Sequence, residues 1–158
     1  IPTKKESLAI LKKNKTTSNV IEHSKKVCKV AEKIAEKLIK NGVDLNKDLV
    51  IAAALLHDIE RAKDDHVAEG AKLLKRMGFP EVSKVIKKHS LYKIQQKNRQ
   101  PQTWEEKIVF YADKRVMGNK IVSLKKRFKA LEKIYKVNLS KELEFTKKIE
   151  KELLGDKK

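Results

Sequence analysis

Apolar residues recur at steps of three and four along most of the chain, and this spacing limits the possible folds more than any other feature. The longest stripe lies in residues 19–40 and consists of Val20, Val27, Val30, Ala31, Ile34 and Leu38. Such residues share one face of a helix, and no segment shows a convincing strand-type alternation. With only five glycines and three prolines in 158 residues, the sequence predicts an all-α helical bundle that forms one domain over residues 1–158.

Capping and breaking residues divide the chain into eight predicted helices. These span about 3–13, 19–40, 47–57 directly after Asn46, 66–77, a segment that opens at Pro80, 103–117, 119–135 and 141–154. Thr3, Ser18 and Ser140 are the predicted N-caps, and residues 103–106 have the pattern of a capping box. Residues 91–102 are predicted to form an exposed polar loop.

The charge of the chain is strongly positive. Lys and Arg number 39 against 21 Asp and Glu, for a formal net charge of +18 that favours anionic partners. The lysines are spread along every segment and interleaved with glutamates, a pattern typical of solvated helix faces. No apolar run is long enough to span a bilayer and no signal-peptide pattern opens the chain, so we expect a soluble, cytoplasmic protein. The single cysteine, Cys28, excludes an internal disulfide.

Four histidines and two aspartates fall on the apolar faces of five predicted helices. His23 lies between Val20 and Val27, for example, and Asp113 continues from Val109. A histidine in such a place is most often a hydrogen-bonded core residue, but an unpaired buried carboxylate is costly. Lysines could pair with the carboxylates one by one, whereas a metal would satisfy all six groups together. Imidazoles and carboxylates without cysteine favour a transition-metal site over a structural zinc knuckle.

These residues carry a resemblance to a known family. The segments EHSKKV, LLHDIER, HVAEGAKLL, IKKHS and IVFYADKRV, in this order, resemble the HD-domain metal-dependent phosphohydrolases. The resemblance covers about residues 19–118 and leaves the C-terminal helices, about 119–154, outside it. It implies an all-α fold and hydrolysis, by metal-activated hydroxide, of a phosphomonoester, phosphodiester or phosphoanhydride, with a nucleotide as the expected substrate.

The resemblance also implies a ligand set. His23, His57, Asp58 and Asp113 match the four ligands of the family's basic metal site. His66 and His89 match the additional ligands of its two-metal members, in which the position of Asp58 bridges both ions. We therefore expect two divalent ions, with Fe, Mn, Co, Ni, Zn and Mg as the candidates. Glu60 and Arg61 stand where the cyclic-dinucleotide phosphodiesterases of the family have Gly-Lys, which argues against that substrate.

Three basic residues are candidates for substrate binding. Arg61 follows His57 by four residues, so a continuing helix would place it on the same face, near the phosphate. Lys114 and Arg115 adjoin Asp113, and a role in substrate binding and plain solvation at the surface are equally compatible with that position. Glu60 is expected to orient a ligand histidine.

Two alternative functions remain open at this point. The net charge and the run LKKRFK at 124–129 would suit a nucleic-acid-binding helical module, although scattered lysines and few aromatic residues do not favour it. An HD domain that senses a nucleotide without hydrolysing it is the other alternative.

Overall fold

The computed structural model describes residues 1–155, and helices account for most of the regular structure in this range. Its eight α-helices are α1 (Lys4–Lys13), α2 (Ser18–Lys40), α3 (Lys47–Leu56), α4 (His66–Arg76), α5 (Pro80–Ile86), α6 (Trp104–Lys114), α7 (Leu124–Tyr135) and α8 (Ser140–Leu154). One 3-10 helix, Lys97–Arg99, and two strands, β1 (Val116–Met117) and β2 (Lys120–Ile121), complete the order. The all-α prediction is confirmed. Within residues 1–155, no helix combines the length and apolar character that a membrane crossing requires.

Helix α3 lies in the interior of the bundle, packed against α1, α2, α5 and α6. Six of its ten residues are buried: Val50, Ala52, Ala53, Ala54, Leu55 and Leu56. A helix that is apolar on nearly every side belongs in the interior, and its alanines allow the neighbouring helices to approach closely. The C-terminal end of α3 therefore carries His57 and Asp58 into the core rather than to the surface.

The connection between α6 and α7 differs from the prediction. Helix α6 ends at Lys114, and residues 116–117 then pair antiparallel with residues 120–121 in a hairpin. Gly118, with a φ of +62°, turns the chain in a conformation that glycine adopts at little cost. The predicted helices at 103–117 and from 119 were therefore wrong at these ends, because strands of two residues are too short to show an alternating pattern. Ser123 caps the start of α7.

The predicted caps are correct in part. Thr3 and Thr103 each complete a capping box with the glutamate three residues later. Ser18 and Ser140 instead lie one residue inside their helices, as the first residues of α2 and α8, and no side chain caps either helix. In both places the helix begins one residue before the predicted start, which moves the serine out of the extended conformation that a cap needs.

Residues 91–102 are more firmly attached than a polar loop would be. Ile94 is 1% exposed and belongs to the core, and Leu91 packs against the core as well. These two side chains hold the segment on the bundle, with Tyr92 exposed between them.

The capping box of α6 offers a test of local stability. The hydroxyl of Thr103 accepts a hydrogen bond from the backbone N–H of Glu106 at 3.1 Å, and the Glu106 carboxylate accepts one from the N–H of Thr103 at 3.1 Å. Because Thr103→Ala removes one half of this pair, we expect the free energy of unfolding to fall by about 1 kcal/mol in chemical denaturation. Ser18→Ala, at an exposed position without a capping bond, is the control and is expected to change it by less than about 0.5 kcal/mol. Equal losses in the two variants would contradict the assignment.

Candidate metal centre and substrate cavity

Six ionisable side chains from five helices or their ends converge inside the bundle. The contributors are His23 on α2, His57 and Asp58 at the end of α3, His66 at the start of α4, His89 just after α5, and Asp113 on α6. They form two groups that could each hold a metal ion, with the ligand atoms of each group within 4.8 Å of one another: His23, His57, Asp58 and Asp113; and Asp58, His66 and His89. Packing of separate helices thus brings together residues up to 90 positions apart in the chain.

Asp58 belongs to both groups and divides its two oxygens between them. Oδ2 lies 3.4 Å from Nε2 of His57 and 3.8 Å from Nε2 of His23. Oδ1 lies 3.5 Å from Nε2 of His89 and 3.7 Å from Nε2 of His66. Each carboxylate oxygen therefore faces a different pair of imidazoles.

Backbone carbonyls orient three of the four imidazoles. Nδ1 lies 2.7 Å from a carbonyl oxygen in each case: His57 to Ala54, His89 to Ile86, and His23 to Gly118. Since a carbonyl oxygen only accepts, each Nδ1 carries a proton and donates it. In a neutral imidazole the lone pair is then on Nε2, the atom that points toward the carboxylates.

Helix ends supply two of these carbonyls. Ala54 lies in the last turn of α3 and Ile86 is the last residue of α5, so their C=O groups lack the partner that a longer helix would provide. In each case the histidine three residues later donates from Nδ1 to that carbonyl, and the Ile86 carbonyl also accepts the backbone N–H of His89 at 3.2 Å. The ends of α3 and α5 therefore orient two candidate ligands with local backbone geometry alone.

The donor set fits a divalent cation. Nε2 of His23 and Nε2 of His57 lie 3.1 Å and 3.2 Å from the same oxygen, Oδ1 of Asp113. A lone pair and a carboxylate oxygen repel each other at such distances unless a proton or a metal ion lies between them. Neutral imidazoles held by a second hydrogen bond, together with carboxylates, are the ligands that transition ions prefer.

The charges of the cluster shift the pKa values of its members. Burial lowers the pKa of His57, but the nearby Asp58 carboxylate and the hydrogen bond to Asp113 outweigh burial and raise that pKa to about 10. Burial raises the pKa of Asp58, but His57 and His89 hold it well below its usual range. Burial lowers the pKa of His66 despite the opposing effect of Asp58, so this imidazole is neutral at neutral pH and able to bind a metal ion. A proton on Nε2 of His57 and a metal ion would thus compete for the same position, between this nitrogen and the carboxylates.

Lys114 is buried beside the cluster, at 3% exposed. Its ammonium donates to Oδ2 of Asp113 at 2.8 Å and to the backbone oxygen of His89 at 2.7 Å. Burial raises the pKa of Asp113, but the Lys114 charge and the hydrogen bonds from His23 and His57 hold that pKa well below its usual range. Lys114 therefore fixes one carboxylate oxygen of Asp113 and leaves the other for the imidazoles. Two of its three N–H donors are used by these oxygens, and the ammonium also lies 4.7 Å from the centroid of the Phe110 ring.

A cavity of about 720 Å³ opens beside the cluster. Five of the six candidate ligands line it, together with Lys114: His23, Asp58, His66, His89 and Asp113. A space of this size is in the usual range for a small organic ligand.

Arg61 reaches the cavity by a different route from the one predicted. Helix α3 ends at Leu56 and residues 57–62 form turns, so the helical spacing between His57 and Arg61 does not apply. The turns nevertheless bring Nη1 of Arg61 to 3.5 Å from Nδ1 of His66, at the edge of the cavity. Among residues 1–155, no carboxylate oxygen lies within 4.0 Å of the Arg61 guanidinium nitrogens. The charge of Arg61 is therefore available to a ligand.

Arg115 and Glu60 point away from the cluster. The Arg115 guanidinium donates to the backbone oxygen of Val122 at 2.6 Å and to the hydroxyl of Tyr111 at 2.7 Å, and Arg115 is not among the described residues that line the cavity. Glu60 accepts from the side-chain amide of Asn14 at 2.9 Å instead of orienting a histidine. The reason is the same in both cases: adjacency in the chain does not fix the direction of a side chain once the helix has ended.

The structure adds cavity residues that the sequence analysis does not identify, chiefly Arg127, Tyr92 and Tyr135. Nε of Arg127 donates to the backbone oxygen of Val116 at 3.0 Å. A signal for Arg127 exists in the sequence, because it precedes Leu131 by four residues and so shares the inner face of α7. Tyr135 follows Leu131 by four residues and has the same signal, whereas Tyr92 lies between α5 and α6, outside any helical pattern.

Comparisons with known proteins identify the region that holds the cluster. A family model described as HD domain matches residues 20–118, which include all six candidate ligands. The match ends at Gly118, so α7 and α8 lie outside it. No solved structure matches the chain.

Three curated relatives differ in how much of their length this chain spans. A tRNA (cytidine(56)-2'-O)-methyltransferase of Picrophilus torridus is 33% identical over 139 residues, which cover 79% of this chain and 39% of the relative. An uncharacterized protein of Methanocaldococcus jannaschii is 32% identical over 142 residues, which cover 81% of this chain and 83% of the relative. A dihydroneopterin 2',3'-cyclic phosphate phosphodiesterase of the same organism is 34% identical over 113 residues, which cover 60% of this chain and 44% of the relative. The chain thus spans 39% and 44% of the length of these two relatives with a named activity.

Proposed function

The chain belongs to the HD-domain family, and we propose that it is a metal-dependent phosphohydrolase with a two-ion centre and a small, nucleotide-like phosphoester substrate. The relative named as a phosphodiesterase supports the hydrolase class. In this proposal the chain acts as a single helical domain with the metal centre in its interior.

The division of the Asp58 oxygens carries the proposal of two ions. Its Oδ2 faces His57 and His23, and its Oδ1 faces His89 and His66, at 3.4–3.8 Å. A single ion would engage one of these pairs and leave the other pair of imidazoles facing a carboxylate oxygen without a cation. One ion held by His23, His57, Asp58 and Asp113, and a second held by Asp58, His66 and His89, satisfy all six side chains.

The roles of the protein groups follow from their contacts. Divalent ions at such a centre lower the pKa of water toward neutrality and neutralise charge on phosphate oxygens. The carbonyls of Ala54 and Ile86 hold His57 and His89 in the tautomer that presents Nε2. Lys114 holds Asp113 in its ionised form by charge and hydrogen bonding. Arg61, at the edge of the cavity, donates to a phosphate oxygen.

The substrate is a phosphoester small enough for a cavity of about 720 Å³. Arg61 and the remaining donor of Lys114 supply cationic contacts to the phosphate, whereas Arg115, which bonds to Tyr111, has no part in the proposed site. Because one relative is named for a 2',3'-cyclic phosphate, a nucleoside cyclic phosphate belongs among the substrates to be tried, beside mononucleotides, dinucleoside polyphosphates and an aryl phosphate.

Metal analysis combined with this substrate panel tests the proposal. We expect about two transition ions per chain in the wild type and about one in His89→Ala, because the second group then keeps only Asp58 and His66. Lys84→Ala, an exposed change on α5, is the control and keeps both ions. A folded protein that binds no Mn, Fe, Co, Ni, Zn or Mg and hydrolyses none of the esters after reloading would refute the proposal.

Binding of structured RNA is the second candidate function. Two observations favour it: a net charge of +18 and the similarity to relatives named tRNA methyltransferases. We expect such binding to weaken steeply with salt and to be indifferent to a chelator, because it would depend on phosphate contacts by surface lysines. Filter binding of transfer RNA across a salt series, with and without chelator, separates it from binding at the metal centre.

A further inference from the structure

Part of the cavity wall comes from the chain beyond the HD-domain match. The residues involved lie on α7, on the start of α8 and on the turn between them: Arg127, Leu131, Tyr135, Val137, Asn138, Leu139 and Glu142. The family-matched part, residues 20–118, contributes the candidate metal ligands. The two parts of the wall therefore differ in chemistry: one carries the candidate metal ligands, and the other combines apolar side chains and an amide with one cation, Arg127, and one carboxylate, Glu142.

Exposed apolar surface is concentrated at the cavity, with two side chains on this second part of the wall and one, Tyr92, on the family-matched part. Tyr92, Tyr135 and Val137 are 63%, 59% and 50% exposed, and all three line the cavity. Only eight large apolar side chains are exposed among the described residues, so three of them fall at one site. Aromatic rings left open beside a cavity are typical of a binding site for a planar apolar group.

The backbone beside both tyrosines is in an unusual conformation. Lys93 and Lys136, each directly after a tyrosine, have φ values of +52° and +53°. Side-chain-bearing residues rarely adopt this left-handed conformation, and it persists only where the surrounding structure enforces it. Lys136 ends α7, where a left-handed residue is common, and Lys15, which does not line the cavity, has the same conformation; the two turns therefore fix only the direction of the chain after each tyrosine.

Tyr135 is the freer of the two rings. The ring of Tyr92 has Lys93 Nζ at 5.3 Å and the Arg99 guanidinium at 5.5 Å from its centroid. No described cation or ring has such a contact with Tyr135. A ligand ring can therefore stack on Tyr135 without displacing another group.

Polar groups near Tyr135 have donors to spare. The Asn138 side-chain oxygen accepts from the backbone N–H of Ser140 at 2.9 Å, which leaves its amide NH₂ as a donor toward a ligand. Arg127 uses Nε for the Val116 carbonyl and has no carboxylate within 4.0 Å among residues 1–155. Its two terminal nitrogens remain for an anion.

We propose that the α7–α8 segment selects the substrate: Tyr135 stacks on a planar heterocyclic base, Asn138 donates a hydrogen bond to that base, and Arg127 contacts the sugar-phosphate portion. The proposal rests on the proposed function, because it takes the reacting phosphate to lie at the candidate metal centre. It names the substrate class as a nucleotide-like phosphoester in which the base, and not only the phosphate, contributes to recognition.

Paired ligands with and without the base test this assignment. Titration calorimetry would compare the four common nucleoside monophosphates with ribose phosphate, which lacks the base. We expect wild-type protein to bind its best nucleotide at least about tenfold more tightly than it binds ribose phosphate. Tyr135→Ala is expected to lose most of this ratio of affinities. Tyr135→Phe keeps the ring and is expected to keep the ratio. Ile134→Ala, exposed but not lining the cavity, is the matched control and leaves the ratio at the wild-type value.

The variant Arg127→Gln tests the contact to the sugar-phosphate portion separately from the contact to the base. We expect it to weaken nucleotide and ribose phosphate alike, because the lost contact is to the portion they share. If wild-type protein hydrolyses a phosphoester but binds all four nucleotides no better than ribose phosphate, the base-binding role is overturned while the phosphohydrolase proposal stands. If the base-dependent ratio is found and lost in Tyr135→Ala, but no phosphoester is hydrolysed, the binding site is upheld and the hydrolytic function fails.

Discussion

Replacing Asp58 with asparagine is expected to lower hydrolysis by about 10³-fold or more and to reduce metal content at both groups of ligands. Asparagine has nearly the same size, so the packing at the end of α3 is kept, but it loses the negative charge and one oxygen donor. Because the two oxygens of Asp58 face two different pairs of histidines, this one change would affect both of the proposed ions. Loss of several kcal/mol of charge stabilisation by the metal centre corresponds to a factor of this size.

Metal analysis and steady-state kinetics on the same preparations measure the effect of Asp58→Asn. Asp64→Asn is the matched control, since Asp64 is an exposed acidic residue close in the chain that belongs to neither group of ligands. We expect Asp64→Asn to keep both ions and wild-type rates. If Asp58→Asn keeps two bound ions and more than a tenth of the wild-type rate, Asp58 does not bridge two metal ions.

The positions of the candidate ligands could be predicted because helical periodicity is a local property. His23 and Asp113 stand in apolar stripes of their own helices, and that alone implies that they face the interior. Their 3.1 Å approach depends instead on how α2 packs against α6, which no local pattern contains. The order of the motif supplied that information only through the resemblance to a family.

Predictions that depend on a helix continuing past its true end are the weakest. Arg61 lies at the cavity although the spacing argument behind it fails, because α3 stops at Leu56 and turns follow. The sequence is compatible with a surface or substrate-binding position for Lys114, yet this residue is 3% exposed and paired with its neighbour. Tyr135 follows Leu131 by four residues, so the spacing places both on one face of α7, but that this face borders the cavity depends on how α7 packs, which no local pattern contains.

Lys114→Met is expected to lower the free energy of unfolding of metal-free protein by about 3 kcal/mol. Methionine fills much of the same space, so the main loss is the ammonium charge and its two hydrogen bonds, to Asp113 and to the His89 carbonyl. The change leaves a buried carboxylate without its strongest partner, and removing one member of a buried pair typically costs about 3–5 kcal/mol. His23 and His57 compensate in part, because both lie within 3.2 Å of Asp113, which places the expected loss at the lower end.

A double-mutant cycle separates the charge effect from packing. Asp113→Asn alone leaves the Lys114 ammonium buried and unpaired, whereas Asp113→Asn with Lys114→Met removes both charges, so the double variant is expected to lose clearly less than the sum of the two single losses. Urea denaturation of the four metal-free proteins measures this difference. Additive losses, or a loss below about 1 kcal/mol for Lys114→Met, would mean that the pair does not hold the Asp113 carboxylate in place. A strong coupling would identify Lys114 as the group that keeps Asp113 ionised in the interior, and so able to bind a metal ion there.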